Sequence, residues 1–411
     1  MATSSSDLPH NLMAFVNDPV SEQIINNVIK EMNLAYAEAK QGTIPEIVEF
    51  MKTNRTPKVL IADISDSELP LGDITKIKEF SAPNLNIIVI GSRNDVGLFR
   101  DLMNMGVSDY IVKPLNNVIL RTAVDDAINN KKTTIEKSGK LINVISSIGG
   151  AGATTVAANI AWLLANVNFK RTVLMDMDFL FGTANLLLDL KAENAYLDII
   201  ESPDKIDDYF IETILKKSSN RLYYLGGLCD LVRGVVVDLE AFDTLVNVIK
   251  KQFNYVVVDS QREVSGVTKI GLNKAEMFII MVEMSLASAQ NAGRILEFFN
   301  TDQGGKKILI VANKVGMSAN GALSKEAFEK VIGRKINYSI PFDEVSALAS
   351  ANIGQPLAAS GGSIVEILEE ITNDIMGKNE SVAIENEIVE KEGITMDVVK
   401  NKVLDFISRL K

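Results

Sequence analysis

The sequence predicts an α/β protein with two doubly wound domains, each built on a mostly parallel sheet. Short apolar runs alternate with helical stretches in both halves of the chain, as is typical of parallel strands covered by helices on both faces. Acidic residues or a glycine turn directly follow several of these runs, at the edge where such sheets place ligands. At 411 residues the chain exceeds one ordinary core, so more than one domain is expected. The predicted segments are an N-terminal domain over 11–125, a linker over 126–139, a C-terminal domain over 140–378 and a tail over 379–411.

The composition limits the class of protein. Hydrophobic residues make up 47% and charged residues 23% of the chain, which is typical of a globular protein. A net charge of −11 argues against a nucleic-acid partner. The single cysteine, Cys229, excludes an intramolecular disulfide, and the single histidine, His10, argues against histidine-based catalysis or a zinc site. With no secretory signal and no apolar run of about 18 residues, we expect a cytoplasmic protein.

Alternating elements can be followed in order through the N-terminal domain. The predicted strands are 12–16, 59–62, 87–90 and 110–112, and the predicted helices lie between 17 and 32, 74 and 80, 95 and 105, and 118 and 129. Asp18 follows the first strand and Asp63 follows the strand at 59–62, while Lys113 and Pro114 follow the last one. These positions share the carboxyl edge of the predicted sheet.

The N-terminal domain resembles the receiver domain of two-component signalling proteins, which has a flavodoxin-like fold. The resemblance covers its whole length and implies Asp63 as phospho-acceptor, Asp18 as a Mg²⁺ ligand and Lys113 as the residue that contacts the phosphoryl group. One carboxylate of the usual acidic pair is replaced by Asn17, and the expected hydroxyl residue after the fourth strand is Gly91. Two interpretations stay open: a degenerate receiver kept for docking or dimerisation, and a receiver that is phosphorylated on Asp63.

A glycine-rich turn opens the C-terminal domain. An apolar strand at 141–145 leads into Ser146 to Thr155, and a helical run follows. Gly149, Gly150 and Gly152 let the backbone curl so that N–H groups converge at the positive end of the next helix, which favours a polyphosphate. The hydroxyl of Thr154 or Thr155 is suited to the accompanying Mg²⁺.

Carboxylates follow two later strands of this domain. Asp176 and Asp178 close the strand at 172–175, and their alternate spacing points both carboxylates the same way, toward one metal-bound phosphate and one water. Asp259 closes the strand at 255–258, where it is suited to hold Mg²⁺. Further apolar strands are predicted at 277–282 and 307–311.

This ordering is similar to that of the deviant-Walker ATPases of the MinD/ParA superfamily, over nearly all of 140–375. The resemblance implies that ATP and Mg²⁺ are the cofactors and that residues 149–155, namely Gly149, Gly150, Ala151, Gly152, Ala153, Thr154 and Thr155, form the phosphate loop. It also implies Thr154, Asp176 and Asp259 around the metal and Asp178 as the catalytic residue that orients water. Asn313 and Lys314 fall where the family contacts the adenine. Pro341 lies in a segment, 340–343, that resembles a late loop of the family, and the resemblance assigns it to cofactor binding as well.

Two lysines of that family are missing here. Ile148 and Ala153 occupy their positions, so binding is expected to survive better than hydrolysis, since losing one charge-neutralising group costs about 10²–10³ in rate. The sequence therefore predicts ATP binding with at most slow hydrolysis, and it leaves a folded but empty loop as the alternative. Arg221, Arg233 and Arg262 are candidates for a substitute cation.

The combination of the two domains resembles the TadZ/CpaE proteins of tight-adherence (Flp, type IVb) pili. That resemblance implies a homodimeric localisation and assembly factor that recruits pilus assembly proteins at the cell pole. Two alternatives remain: a MinD-type ATPase that cycles on the membrane, and a receiver-controlled signalling effector.

The tail combines an acidic connector with an amphipathic segment. Met396, Val399, Val403, Phe406 and Leu410 recur at helical spacing and give a narrow apolar seam in a locally basic segment. Packing against the protein or a partner helix, peripheral contact with a membrane surface and a disordered end are the three interpretations.

Overall fold

The N-terminal part of the chain builds a five-stranded sheet in which every pairing is parallel. The computed structural model describes residues 10–129, 138–191, 206–227, 238–262, 266–302, 306–317 and 322–378. The strands are β1 (Leu12–Val16), β2 (Ala37–Gln41), β3 (Val59–Asp63), β4 (Asn86–Gly91) and β5 (Asp109–Val112). The helices are α1 (Pro19–Glu31), α2 (Ile44–Thr53), α3 (Pro70–Glu79), α4 (Val96–Asn104) and α5 (Asn117–Ile128).

The order of this sheet is β2-β1-β3-β4-β5, the order of flavodoxin-like folds. Every residue of β1, β3 and β4 is buried, because apolar clusters cover both faces of the sheet. Side-chain caps begin several helices: Asp18 accepts from Ser21 at the start of α1, and Asp95 and Asn116 cap α4 and α5. The carboxyl ends of β1 and β3 therefore meet beside the start of α1.

Strand β2 and helix α2 were not predicted from the sequence. The residues of β2, Ala-Glu-Ala-Lys-Gln, have little preference for strands, and β2 pairs with β1 alone at the edge of the sheet. An edge position leaves most of its side chains partly exposed, so no apolar run marks it. The sequence signal at α2 is its capping box, Thr43 with Glu46, and Pro45 in its first turn.

The described residues of the C-terminal domain form an eight-stranded sheet of order β13-β12-β11-β6-β10-β7-β9-β8, parallel except for the short β8. Its strands are β6 (Lys140–Ser146), β7 (Thr172–Asp176), β8 (Lys216–Lys217), β9 (Leu222–Leu225), β10 (Tyr255–Ser260), β11 (Met277–Val282), β12 (Lys307–Val315) and β13 (Tyr338–Pro341). Its α-helices, as far as the structure describes this domain, are α6 (Ala153–Trp162), α7 (Asp208–Ile214), α8 (Leu239–Gln252), α9 (Gly266–Lys274), α10 (Leu286–Asp302), α11 (Lys325–Ile332), α12 (Glu344–Ile353) and α13 (Ser363–Met376).

Strand β6 lies in the middle of the second sheet, between β10 and β11. One apolar cluster on each face buries the sheet, with α6 and α13 on one side and α8 and α10 on the other. The loop that follows β6 is consequently held at the centre of the carboxyl edge, next to the ends of β7, β10, β11 and β12. The α/β prediction with a mostly parallel sheet is confirmed.

The two sheets are joined by a mixed aromatic and ionic contact. Phe80 packs edge-on against Phe169 with 5.9 Å between ring centroids, and the Lys52 ammonium lies 4.9 Å from the Phe80 centroid. Arg55 forms an ion pair with Glu212 at 2.7 Å. These residues lie away from the carboxyl edge, so the contact leaves the ends of the strands accessible.

The predicted tail over 379–411 lies outside the described residues, and so does most of the predicted linker. Within the ranges that the structure covers, no helix is both long enough and apolar enough to span a bilayer.

Candidate functional site

The loop between β6 and α6 is an open curl of glycines. Gly150 and Gly152 have φ of +79° and +92°, which side chains disfavour and glycine tolerates. A Cβ placed on Gly149 would meet no atom within 4 Å, so the space above the loop is free. Because α6 begins at Ala153, the amides of its first turn face this space with the positive end of the helix dipole. The curl has the shape and polarity of an anion cradle.

Asn313 fastens this loop to the neighbouring part of the sheet. Its Nδ2 donates to the Ala151 carbonyl at 2.9 Å, and its Oδ1 accepts from the Lys314 N–H at 2.9 Å. A Cβ on Gly152 would lie 2.3 Å from Asn313 Nδ2, so the amide occupies the room that glycine leaves. The side chain predicted to contact a base is thus engaged with the loop itself. Pro341, which was predicted to bind the cofactor from the late loop, is exposed at the end of the outermost strand and is paired with Val315.

Two buried carboxylates lie beside the loop on adjacent strands. Asp176 on β7 and Asp259 on β10 are register partners, and they are 2% and 6% exposed. Burial, reinforced by Asp176, raises the pKa of Asp259 to about 8, although a hydrogen bond with Thr154 acts in the opposite direction. Burial also raises the pKa of Asp176 to about 6 against hydrogen bonds from the Asp178 and Ala184 amides. The structure thus brings Thr154, Asp176 and Asp259 together, as the sequence predicts.

Asp178 lies beyond the end of β7 and is fixed by donors. Its Oδ1 accepts from the Phe181 N–H at 2.9 Å and from Gln261 Nε2 at 2.8 Å. Its own N–H donates to Asp176 Oδ1 at 3.0 Å, which couples the two carboxylates through the backbone. Asp178 is half-buried, in contrast to Asp176, so its carboxylate can reach a water at the mouth of the site.

Neither of the two positions where lysine is missing offers a charge. Ile148 packs against the apolar cluster under α6, and Ala153 is 7% exposed. A different cation lies at the loop: the Lys314 ammonium is 3.9 Å from the position of a Cβ on Gly150. Lys314 itself has a φ of +54° and pairs with Glu283 at 3.0 Å.

The expectation for Arg221 is wrong. Its side chain is 7% exposed and Nη1 donates to the Phe80 carbonyl at 3.2 Å, so it serves the contact between the two sheets. Arg221 immediately precedes β9, at the end of the sheet opposite the glycine loop, which explains why it cannot reach a loop-bound anion. Arg262 is exposed and lines a cavity of about 470 Å³ with Ser146 and Ser147, and Arg233 lies outside the described residues.

The donor set suits Mg²⁺ held together with a phosphate. In the part of the chain that the structure describes, no three His, Cys, Asp or Glu side chains form a cluster able to hold a metal alone. Mg²⁺ is usually bound by one or two carboxylates, water and substrate phosphates. Asp176, Asp259 and the Thr154 hydroxyl beside an open anion cradle fit that pattern.

A second cluster of charges lies at the carboxyl edge of the N-terminal sheet. Lys113 Nζ donates to Asp18 Oδ2 at 2.7 Å and to Asp63 Oδ2 at 2.5 Å. Asp63 is 1% exposed and also accepts from the Asn17 and Ser65 amides. The Lys113 hydrogen bond, followed by that of the Ser21 amide, holds the pKa of Asp18 well below its usual range. Hydrogen bonds to the two carboxylates raise the pKa of Lys113 despite its burial.

Tyrosine fills the space beside this cluster where the sequence lacks a hydroxyl residue. A Cβ on Gly91 would lie 2.3 Å from the Tyr110 hydroxyl, which donates to the Arg93 carbonyl at 2.8 Å. Ser92 Oγ donates to the Ser65 carbonyl at 3.2 Å. The three predicted residues Asp18, Asp63 and Lys113 do come together, while Gly91 brings no side chain to them.

Several polar residues around the glycine loop of the C-terminal domain were not predicted from the sequence. Gln261 binds Asp178, and the Tyr224 hydroxyl donates to Asp176 at 3.4 Å. Glu283 pairs with Lys314. Gln261 and Glu283 directly follow β10 and β11, and this position after an apolar strand is the signal that could have identified them. Tyr224 lies inside a strand and carries no such signal.

Comparison with known proteins finds similarity in the C-terminal domain. Residues 139–310 match a family model described as an AAA domain. The septum site-determining protein MinD of Thermotoga maritima is 24% identical over 278 residues, which cover 66% of this chain and 99% of that protein. MinD of Bacillus subtilis is 25% identical over 227 residues, covering 54% of this chain and 82% of that protein.

Two solved structures share the fold of this part of the chain. A ParA family ATPase from Chlorobium tepidum has a TM-score of 0.53 at 22% identity and covers 57% of this chain and 98% of its own. MinD from Pyrococcus horikoshii, solved in complex with Mg-ADP, has a TM-score of 0.50 at 17% identity and covers 58% of this chain and 96% of its own. Residues 139–310 are therefore similar to an AAA domain, and this part of the chain shares the fold of MinD and ParA proteins.

Proposed function

We propose that this chain, whose AAA domain has MinD- and ParA-type relatives, binds ATP with Mg²⁺ in the glycine loop after β6 and acts as a nucleotide-linked homodimer. The observation that carries the proposal is the convergence of an open anion cradle with the Thr154, Asp176 and Asp259 side chains. In this arrangement the amides of 149–155 hold the phosphates, and Thr154, Asp176 and Asp259 hold the metal. Asp178, at the mouth of the site, orients water.

Hydrolysis is proposed to be slow at most. Ile148 and Ala153 leave the loop without its usual lysines, and Arg221 is buried at the contact between the domains. Phosphoryl transfer depends on neutralising charge that develops in the transition state, whereas binding also draws on backbone amides and the metal. A protein that binds ATP but hydrolyses it slowly is suited to act by forming a dimer when nucleotide is bound.

The cellular role that we propose is that of a localisation and assembly factor for a Flp (type IVb) pilus, which recruits pilus assembly proteins at the cell pole. Support comes from the order of the two domains, a flavodoxin-like sheet followed by the AAA domain, which resembles TadZ/CpaE proteins. We propose that the N-terminal domain is a receiver-like docking module, because Gly91 brings no hydroxyl to the Asp63 cluster and Tyr110 fills that place.

One observation favours a second candidate, a receiver-controlled effector. Asp63 is buried in contact with Lys113 and close to Asp18, the residue types that the receiver resemblance implies for phosphorylation. Acid-labile phosphate on Asp63 after treatment with a small phosphodonor favours this candidate, and its absence favours the docking module.

Light scattering tests the proposed assembly. With Mg-ATP we expect the mass of the purified full chain to shift from monomer to dimer, and with Mg-ADP we expect a smaller shift. Asp259→Asn removes a proposed metal ligand, so the ATP-dependent shift should be lost. Equal masses with ATP, with ADP and without nucleotide would contradict a nucleotide-linked dimer.

Binding of Mg²⁺ is expected to strengthen with pH. The pKa of Asp259 is about 8 and that of Asp176 about 6, so protons occupy these carboxylates at low pH and the cation must displace them. Between pH 6 and 8.5 we expect the Mg²⁺ concentration that gives half-maximal nucleotide binding to fall about 10- to 100-fold. Each displaced proton contributes up to about tenfold per pH unit.

A Mg²⁺ titration of nucleotide binding at both pH values measures this effect. Asp259→Asn should flatten the pH dependence, whereas Asp189→Asn, which removes an exposed carboxylate outside the site, should leave it unchanged. The same Mg²⁺ requirement at pH 6 and pH 8.5 in the unmodified protein would refute the assignment of the metal to these carboxylates.

A further inference from the structure

The glycine loop has a cation beside it that neither missing lysine position explains. Lys314 belongs to β12, two strands away from β6, yet its ammonium lies 3.9 Å from where a Cβ on Gly150 would be. Gly150 is exposed and has a φ of +79°, so its backbone faces the open space of the loop. The Lys314 ammonium, on β12, therefore lies beside the anion cradle that follows β6.

The backbone of β12 is bent to make this approach. The register with β13 shifts between Ala312 and Val315, and Lys314 adopts a φ of +54° within that irregularity. A left-handed conformation costs about 1–2 kcal/mol at a residue with a side chain, so packing and hydrogen bonds must hold it. The Lys314 N–H donates to Asn313 Oδ1 at 2.9 Å, and Asn313 in turn holds the loop through Ala151.

The ammonium is also oriented from the other side. Glu283 pairs with Lys314 Nζ at 3.0 Å, and the Glu283 N–H donates to Ser288 Oγ at 3.0 Å. Ser288 Oγ is 2.8 Å from Ser147 Oγ, directly before the loop, and both serines are buried. A hydrogen-bonded chain thus runs from the start of the loop to the ammonium. An ammonium has three N–H donors, so the ion pair with Glu283 leaves donors for an anion.

We propose that Lys314 is the phosphate-binding cation of this loop and takes over the charge that the residues at 148 and 153 do not supply. The inference rests on the proposed function, since it names the contact that Lys314 makes in that same site. It assigns Lys314 to the polyphosphate, whereas the sequence alone placed this residue at the base.

A base-free probe separates the two roles. Binding of Mg-tripolyphosphate, Mg-ATP and adenosine is measured by calorimetry on the full chain with Lys314 intact and with Lys314→Met. Loss of a charged hydrogen bond to phosphate should weaken both tripolyphosphate and ATP by a similar factor, about 10- to 100-fold. Adenosine binding, where measurable, should not change.

Lys325→Met is the matched control, because Lys325 lines the same cavity of about 410 Å³ as Lys314 without being placed at the loop. Its affinities should stay within about twofold. Lys314 is about one-third exposed, so methionine fits there, and equal thermal midpoints verify that the variant is folded. Lys314→Arg should retain most of the tripolyphosphate affinity.

The results distinguish failure of the inference about Lys314 from failure of the proposed function. Unchanged tripolyphosphate binding in Lys314→Met overturns the inference, whether or not ATP binding falls, and leaves the proposed function standing if the unmodified chain binds ATP. If the unmodified chain binds neither ATP nor tripolyphosphate at millimolar concentration, the proposed function fails and the inference fails with it.

Discussion

Gly152→Ala is expected to weaken Mg-nucleotide binding by about 10- to 100-fold while the rest of the protein stays folded. The φ of +92° at this position disfavours any side chain, and the added Cβ would lie 2.3 Å from Asn313 Nδ2. Relief of that clash requires the loop or Asn313 to move, and either movement breaks the bond from Asn313 to Ala151. Backbone strain of this kind amounts to about 1–3 kcal/mol, so we expect a loss of about 10- to 100-fold in affinity.

Calorimetric titration with Mg-ATP measures the Gly152→Ala effect. Gly293→Ala is the matched control, because Gly293 lies in helix α10 and a Cβ there meets nothing within 4 Å. The control variant should bind as the unmodified chain does and should be as stable or slightly more stable, since alanine favours a helix. Retention of full affinity by Gly152→Ala would show that the curl is not the binding site.

Lys113→Met is expected to cause a large loss of stability in the N-terminal domain. The ammonium bridges Asp18 and the fully buried Asp63, so its removal leaves two carboxylates side by side and one of them uncompensated in the core. Breaking such a pair costs about 2–4 kcal/mol. Denaturant unfolding measures the loss, with Lys76→Met as control, because Lys76 forms an exposed pair with Asp73 worth at most about 1 kcal/mol.

The cluster also predicts how acid acts on this domain. Because the folded pKa of Asp18 lies below its ordinary value, its contribution to stability is complete above about pH 4 and is lost as pH falls toward the folded pKa. Lys113→Met should reduce that acid-dependent loss, and Asp63→Asn combined with Lys113→Met should be less destabilised than Lys113→Met alone. Equal stability of Lys113→Met and the unmodified chain would contradict the bridging role.

The apolar strands and the acidic residues at their ends were predictable from the sequence because both follow from local patterns. Residues 12–16 of β1, 59–62 of β3 and 87–90 of β4 are continuously apolar and buried, as a sheet covered on both faces requires. Asp63 and Asp259 close such strands, so their positions at the carboxyl edge followed from the fold class. The grouping of Thr154, Asp176 and Asp259 followed in the same way.

Local sequence patterns could not predict the features that depend on contacts between distant segments of the chain. β2 consists of polar and small residues, and its pairing with β1 is what makes it a strand. The sequence offered Arg221 as a candidate cation for the loop, but the contact between the two sheets buries its side chain. Tyr110 fills the space beside Gly91 across the pairing of β4 with β5. The position of Lys314 depends on a bulge in β12 that no run of residues indicates.

The measurement that tests the central claim most directly is a calorimetric titration of the purified full chain with ATP in the presence of Mg²⁺. We expect saturable, Mg²⁺-dependent binding of one ATP per chain with a dissociation constant in the micromolar range, weakened about 10- to 100-fold in Gly152→Ala and retained in Gly293→Ala. Absence of saturable binding at millimolar ATP in the unmodified chain would contradict it and would leave the glycine loop as a structural turn.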